Sequence, residues 1–439
     1  MNILLIQPFI FPEAEILTKK QALFYTIIHK YFKNLAFLDN YIHLQQVAAA
    51  TPKNHSINFI DERFDKIDFN INCDIVGITC VTGYAPHSYD IADEFRARGK
   101  KVVLGGPHPS ALPNEAIQHA DGVVIGEAEE TWPQLLKDFE QGNMKIFYKQ
   151  EKPINPDEIP PARRDIIKSH FFPVARIQAT RGCPQNCNFC AIRTIEGSIL
   201  RKRPIENIVN EIKTIKQKFL KFSDASLTTD PEYTKQLFRE MKGLKKRFTC
   251  FGNQDVLYRD EELLKIARKA GCIAWYIGFE SINQKTIDNL GKTNKVENYI
   301  ETVKKIHKHK MAVAGSVILG FDEDTRETWK KTLDMLYKME IDLVEINELT
   351  PFPGTPLYDK LDNEGRIINK NWFNYREGQP ATVTVFQPKN MSPDELREYT
   401  KSLYREWYKA GNSIKRMTKS LRNGFYSFIF NALGPVLFA

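Results

Sequence analysis

Two α/β units in tandem are predicted, an N-terminal doubly wound parallel sheet over residues 1–140 and a partial (β/α)6 barrel over 173–357, followed by a small, mainly helical C-terminal region over 358–439. Three observations predict this order. Short apolar runs of strand length alternate with stretches of helical period along most of the chain, as parallel βαβ units require. A stretch without clear periodicity, residues 141–172 with Pro153, Pro156, Pro160 and Pro161, splits the alternation into two series and reads as a linker. At 439 residues the chain is too long for one compact core and suits two or three domains of roughly 100–200 residues each.

The first series comprises ILLIQ (3–7), SINFID (56–61), DIVGITC (74–80), KVVLGG (101–106) and GVVIGE (122–127). Val, Ile and Leu dominate, as in strands covered by helices on both faces. An insertion rich in Phe, Tyr and Leu, residues 8–55, separates the first two strands. It could help enclose a substrate, although aromatic residues at helical spacing are usually core. The second series comprises VARIQAT (174–180), FLKFSD (219–224), FTCFGNQ (248–254), IAWYIGF (273–279), VAGSVILG (313–320) and LVEINEL (343–349). Helical patterns such as IENIVNEIKTIKQ (205–217) and VENYIETVKKIHK (296–308) lie between them. In such barrels the chemistry sits at the C-terminal ends of the strands. Further on, Ser392 with Glu395 forms a capping box that starts a polar helix. The closing stretch GFYSFIFNALGPVLFA (424–439) carries no charge, yet is shorter than the roughly 20 residues of a membrane span.

Composition excludes several classes. With 42% hydrophobic and 26% charged residues the chain is a folded globular protein. The net charge of +8 is spread without a run of five or six lysines, so nucleic acid is not an expected partner. Basic residues do thicken at Lys415, Arg416, Lys419 and Arg422, ahead of the apolar tail. The opening MNILLIQPF reads as a strand and not as a signal peptide. Seven cysteines, three of them within eight residues, fit reduced thiols and a metal site better than disulfides, so a cytoplasmic location is expected. Cys73, Cys80, Cys250 and Cys272 lie on apolar strands and read as buried hydrophobic residues.

Residues 181–191 read RGCPQNCNFCA, a C-x3-C-x2-C loop directly after a strand. Three thiolates on one short loop can hold three irons of a cubane and leave the fourth open. A structural zinc would ask for four ligands, and no fourth Cys or His lies nearby in the sequence. CPQNCNFC resembles the CxxxCxΦC motif of the radical S-adenosylmethionine (SAM) superfamily, with Phe189 at the aromatic position. The resemblance implies a [4Fe–4S] cluster on Cys183, Cys187 and Cys190, whose open iron takes the amino and carboxylate groups of SAM before reductive cleavage to a 5′-deoxyadenosyl radical. FSDASLT (222–228) is similar to the segment that contacts the methionyl amino group, with Asp224 as acceptor. GFES (278–281) is similar to a strand motif whose Glu280 and Ser281 face SAM. SVILGFDE (316–323) resembles the adenine-contact motif GxIxGxxE, keeping Ile318 and Gly320 while Ser316 replaces the first glycine. The plainer readings are that Asp224 caps the helix after its strand and that Glu280 is an ordinary rim carboxylate. Arg201 and Arg203 could clamp a carboxylate or phosphate, or form a solvated surface pair.

In the first series, VGITCVTGY (76–84) and LGGPHPS (104–110) end two strands where doubly wound sheets bind ligands. These segments resemble cobalamin-binding domains, with Thr79, Val81, Gly105 and Gly106 lining the tunnel for the nucleotide tail. The wider stretch from GGPHPSALPNEA to DGVVIGEAEETWPQLL is similar to the N-terminal domain of cobalamin-binding radical SAM proteins, and the combined resemblance runs from residue 2 to about 407. The DxHxxG loop that supplies a cobalt-ligating histidine elsewhere is absent, and His87 and His108 read as hydrogen-bonding loop residues. The resemblance implies a cobalamin-dependent enzyme that methylates an unactivated carbon of a hydrophobic substrate, either a polycyclic or isoprenoid lipid or a tetrapyrrole. A flavodoxin or ferredoxin would supply electrons. The alternatives are a cyclase without net methyl transfer and a non-enzymatic cobalamin or iron–sulfur sensor. The basic and apolar tail could make peripheral membrane contact, or pack on the barrel as a final helix.

Overall fold

The computed structural model describes residues 1–10, 42–167, 174–375 and 383–438. Most of the aromatic insertion lies outside these residues; its last part forms the helix His43–Ala50. The N-terminal sheet contains β1 (Asn2–Gln7), β2 (Ser56–Asp61), β3 (Ile75–Thr79), β4 (Lys101–Gly105), β5 (Gly122–Ile125) and β6 (Phe147–Lys149), all parallel, in the order β2-β1-β3-β4-β5-β6. Strand β6 falls in the stretch expected as linker, ahead of its prolines, and pairs with β5, so the sheet reaches further along the chain than the apolar runs indicate. Its strands are covered on both sides. Leu4, Ile6, Val76, Ile78 and Leu104 pack with Ala92 and Phe95 of the helix Ala85–Ala97. Ile3, Leu5, Ile75, Val103 and Val124 pack with Leu44, Trp132 and Leu135 on the other face. The order reverses at β1, which lies between β2 and β3, and this opens a crevice at the carboxyl edge.

The second sheet contains β7 (Val174–Ile177), β10 (Phe219–Phe222), β11 (Arg247–Phe251), β12 (Cys272–Glu280), β13 (Ala312–Leu319) and β14 (Leu343–Glu348), again all parallel, in the order β14-β13-β12-β11-β10-β7. Each of the six predicted strands is present. A two-stranded ribbon, β8 (Thr180–Arg181) with β9 (Arg201–Lys202), brackets the cysteine loop. Only one face of this sheet is covered by helices: Ile177, Phe222, Phe248, Trp275, Val317 and Ile346 join Phe238, Leu263, Val303 and Leu336 in one core. Each such side chain removed from water contributes about 1.5–3 kcal/mol. The opposite face is concave. Tyr276 of β12 hydrogen-bonds Glu345 of β14, and Lys221 of β10 acts electrostatically on that same carboxylate across the curled sheet.

After the barrel, the helix Pro393–Trp407 starts at the predicted capping box, with Ser392 and Glu395 reciprocally bonded. The helices Ala410–Ser420 and Phe425–Phe438 follow. The last is docked on the barrel: Asp342, just before β14, accepts from Ser427 and from Asn431 (2.9 Å) as well as from His307 (2.8 Å). Among the described residues no helix is long and apolar enough to cross a membrane.

Candidate functional site

The cysteine loop leaves the β8–β9 ribbon at Gly182, whose φ of 78° suits glycine; a Cβ there would run into the carbonyl of Ile199. The loop is then fixed by its own backbone. The Cys183 amide donates to Gly197 (3.2 Å), the Cys190 amide to Cys187 (3.2 Å), and Leu357 to the carbonyl of Asn188 (3.0 Å). Phe189 packs edge-on against Phe321 at 6.3 Å, tying the loop to the chain after β13. Burial pushes the Cys187 thiol up and the Cys190 thiol up to about 12, so these sulfurs favour the neutral form until cations bind them. Among the described residues no three ligating side chains surround a single metal ion. A cubane makes no such demand, because its three bound irons stand apart and each takes one thiolate. Three free thiols on one short loop are the donor set that a cubane with one open iron takes.

Beside the loop, Glu280 at the end of β12 adopts φ of 58°, a left-handed conformation that costs about 1–2 kcal/mol outside glycine. This turn places its carboxylate against Lys292 Nζ at 2.5 Å, and Lys292 also donates to the carbonyl of Gly278 at 3.2 Å. Burial works against the Lys292 charge, but Glu280, with Cys187 and Cys190 acting in the same sense, holds it above its usual range. Lys292 had no motif to mark it. Ser281 is buried and its hydroxyl accepts from the Asn283 amide at 3.1 Å. Ser316 and Ile318 are half-buried on the concave face, with Ser316 bonded to Asn347 at 3.3 Å. Gly320, at φ 111°, turns the other way: a Cβ there would meet Leu396 and Phe386.

Asp224 does not face open space. It is 1% exposed and accepts from the Ala179 amide (3.1 Å), the Thr180 amide (2.5 Å) and the Thr180 hydroxyl (2.7 Å). Burial pushes its carboxyl up to about 6 against those bonds. The helix after its strand is capped by Asp230 instead, which accepts from Tyr233. Asp224 thus pins the turn between β7 and the cysteine ribbon.

The concave face carries polar side chains at alternate positions: Arg176, Lys221, Thr249, Tyr276, Glu345 and Asn347 are all half-buried, between neighbours that are buried. Burial raises the Glu345 carboxyl, and its bond to Tyr276 and the nearby Lys221 charge oppose that. A barrel lumen with charges of both signs can hold a substrate that carries polar groups.

At the N-terminal sheet, Thr79, Val81, Gly105 and Gly106 gather on one carboxyl edge. The Cys80 amide donates to Gly105 (2.8 Å), and His108 donates to Cys80 (3.1 Å). A Cβ on Gly106, at φ 105°, would stand 3.0 Å from the Cys80 carbonyl and 3.1 Å from Thr79 Oγ1, so the two loops pack backbone to backbone. Val81 projects from this edge 40% exposed, an apolar residue left open beside a glycine pair. That surface fits a large, flat ligand. His108 is fully buried and bonded to Glu115 at 3.2 Å, with Tyr89 (3.0 Å) and Trp372 (2.8 Å) on the same oxygen. His87 pairs with Glu62 at 2.7 Å.

The model of the radical SAM superfamily matches residues 177–336, and that of the B12 binding domain matches residues 44–136. A bacteriochlorophyllide d C-12(1)-methyltransferase of Chlorobaculum tepidum is 32% identical over 407 residues, covering 89% of this chain and 88% of its own. The chain belongs to the cobalamin-binding radical SAM family. It is a radical SAM enzyme, and the expected fold is the one observed. The bacteriochlorophyllide d C-8(2)-methyltransferase of the same organism is 32% identical over 357 residues, covering 75% of this chain and 77% of its own. Among solved structures, the radical SAM methyltransferase TsrM from Kitasatospora setae, with cobalamin and a [4Fe–4S] cluster bound, superposes with a TM-score of 0.63 at 15% identity, over 91% of this chain and 84% of that one. OxsB with aqua-cobalamin bound reaches 0.70 at 14% identity, over 98% and 72%.

In this radical SAM enzyme the two units are locked by buried ion pairs. Glu127, at the end of β5, accepts from Arg181 (2.8 Å) and Arg201 (2.7 Å), and Arg181 also reaches Glu129 (2.5 Å). Burial raises the Glu127 carboxyl, but the two guanidiniums outweigh it and hold the group below its usual range. Arg203 is 2% exposed and bonds Glu211 (2.8 Å) and the Gln178 carbonyl (2.7 Å). Arg201 and Arg203 are therefore neither an open anion clamp nor a surface pair. They fasten the cysteine ribbon, with Arg201 tying it to the N-terminal unit.

Proposed function

We propose that this enzyme is a cobalamin-dependent radical SAM C-methyltransferase whose substrate is a tetrapyrrole acid. Two relatives at 32% identity act on bacteriochlorophyllide, and the observation that carries the substrate class here is the polar concave face of the barrel, where Arg176, Lys221 and Glu345 stand half-buried. The carboxylate and other polar groups of a tetrapyrrole acid would meet charges of both signs on that partly dry face. Hopanoid methylases are more distant at 25% identity, and a hopanoid scaffold offers no anion to those groups.

When bound, the cluster, SAM and cobalamin supply a hydrogen-abstracting 5′-deoxyadenosyl radical and a methyl group, with electrons delivered by a flavodoxin- or ferredoxin-type donor. Cys183, Cys187 and Cys190 would hold the cluster, and Lys292 sets positive charge beside two of these thiolates. Phe189 fixes the loop through Phe321. Glu280 and Ser281, buried beside the loop, would face SAM, while Asp224 positions the loop through Ala179 and Thr180. Ile318 lines the concave face, and the backbone near Gly320 is held by Asp324, which accepts from the Gly320 amide at 2.8 Å. Thr79, Val81, Gly105 and Gly106 would form the edge that receives cobalamin, and His108 and His87 nearby in the sequence are committed to carboxylates.

The test is turnover by anaerobically reconstituted enzyme with SAM, a low-potential reductant and a bacteriochlorophyllide, products being read by mass. A product heavier by one methylene unit is expected. Loss of hydrogen without gain of carbon would instead favour the cyclase reading, which a 27% identical anaerobic magnesium-protoporphyrin IX monomethyl ester cyclase keeps in view. Turnover of a hopanoid but of no tetrapyrrole would overturn the substrate class.

A further inference from the structure

The helix Phe425–Phe438 meets the barrel through polar side chains. Among its described side chains the buried ones are Ser427 at 1% and Asn431 at 2% exposure, both turned onto Asp342. Of its described apolar side chains, Phe425 is 70% exposed, while Tyr426, Phe428, Ile429 and Phe430 are half-buried and keep part of their surface open. A helix in water turns its apolar stripe to the core, and a contiguous exposed apolar patch marks a surface that something else covers. Leu421 and Ile414, just ahead in the sequence, are 62% and 59% exposed.

Charge says what covers it. All barrel strands are parallel, so the turns that enter them lie at one pole, opposite the cysteine loop. Those turns are basic. Lys216 precedes β10, Lys242 and Lys245 precede β11, Lys269 precedes β12 and Lys338 precedes β14; with Lys415 they are exposed and carry no ion pair with a described residue. Cations at helix C-termini answer the helix dipole, which accounts for some of these residues but not for the open apolar helix among them. Asp342, its anchor, stands at this same pole, as does Glu340, which binds Lys419 (3.3 Å) and Arg422 (2.6 Å) and so holds the preceding helix down. Arg268 lies over the Tyr426 ring at 5.6 Å.

We propose that this pole is a docking face for an anionic lipid bilayer: the outward aromatic and aliphatic side chains enter the interface and the lysine turns lie over acidic headgroups. With a helix of 14 residues the contact is peripheral. The cysteine loop and the lumen mouth then face away from the lipid, so docking concentrates the enzyme at a membrane and leaves the mouth open to the aqueous side.

The reconstituted full-length enzyme should be floated with vesicles of phosphatidylglycerol and phosphatidylcholine, and with phosphatidylcholine alone. Binding to the anionic vesicles is expected, weakening with salt and falling about tenfold or more in the Lys242→Gln/Lys245→Gln variant. Phe425→Ser should weaken binding at every salt concentration, while 5′-deoxyadenosine formation in both variants stays at the parent level. Absence of binding to anionic vesicles, or equal binding to both vesicle types, overturns the proposal. So does a dimer in sedimentation velocity that Phe425→Ser dissociates, since a second copy would then be what covers the face.

Discussion

The N-terminal sheet buries both faces of its central strands, so that only its carboxyl edge is available to a ligand, whereas the barrel sheet buries one face and leaves alternate residues of the other half-open. The same strand-and-helix grammar therefore yields two kinds of site. On the edge, binding rests on backbone shape: Gly105, Gly106 and the exposed Val81 offer contour and no charge. On the face, it rests on side chains, with Arg176, Lys221, Tyr276 and Glu345 brought together from four strands. A large cofactor held by contour and a substrate read by charge suit these two surfaces respectively, and the ion pairs of Glu127 keep them in register.

That contrast can be broken at graded cost. The largest effect is expected from Cys190→Ala, which removes a cluster ligand: iron content should fall and SAM cleavage should drop by more than the roughly 10–100-fold that loss of a supporting residue costs. Glu127→Ala leaves Arg181 and Arg201 buried without their carboxylate and should destabilise the protein by about 3–5 kcal/mol in urea unfolding. Lys221→Met strips a charge from the concave face. It should raise the KM for a tetrapyrrole acid by roughly 10–100-fold, as loss of a charged hydrogen bond would, while SAM cleavage without substrate is unchanged. Gly106→Ala strains a φ of 105° and crowds the Cys80 carbonyl; about 1–2 kcal/mol of stability should go, with weaker retention of cobalamin in gel filtration. If Gly106→Ala altered substrate KM, or Lys221→Met altered cobalamin retention, the division between edge and face would fail.

What could be read in the sequence follows the same division. The cysteine loop is contiguous, so its spacing carries its chemistry, and the strands of both sheets show as apolar runs. Gly105 and Gly106 are visible because the backbone itself is the feature. The concave face is harder, since each strand contributes only one or two of its residues; polar Arg176, Lys221, Thr249 and Glu345, each between buried neighbours, are the signal, and it is short on every strand. Arg201, Arg203 and Asp224 were open to misreading because a buried partner cannot be seen from sequence: Glu127, Glu211 and the Ala179–Thr180 amides claim them. Lys292 acts through Glu280 from twelve positions away, with no motif between them. Strand β6 is three residues long, ahead of the prolines, and pairs only at the sheet edge.

The most direct test of cobalamin-dependent radical methylation is metal and product analysis of the anaerobically reconstituted enzyme given SAM, reductant and a bacteriochlorophyllide. About four irons, as a [4Fe–4S] cluster requires, and one cobalt per chain are expected, with 5′-deoxyadenosine and S-adenosylhomocysteine both formed. Full iron with 5′-deoxyadenosine but no retained cobalt and no S-adenosylhomocysteine would contradict it, leaving a radical enzyme whose N-terminal sheet edge holds no cobalamin.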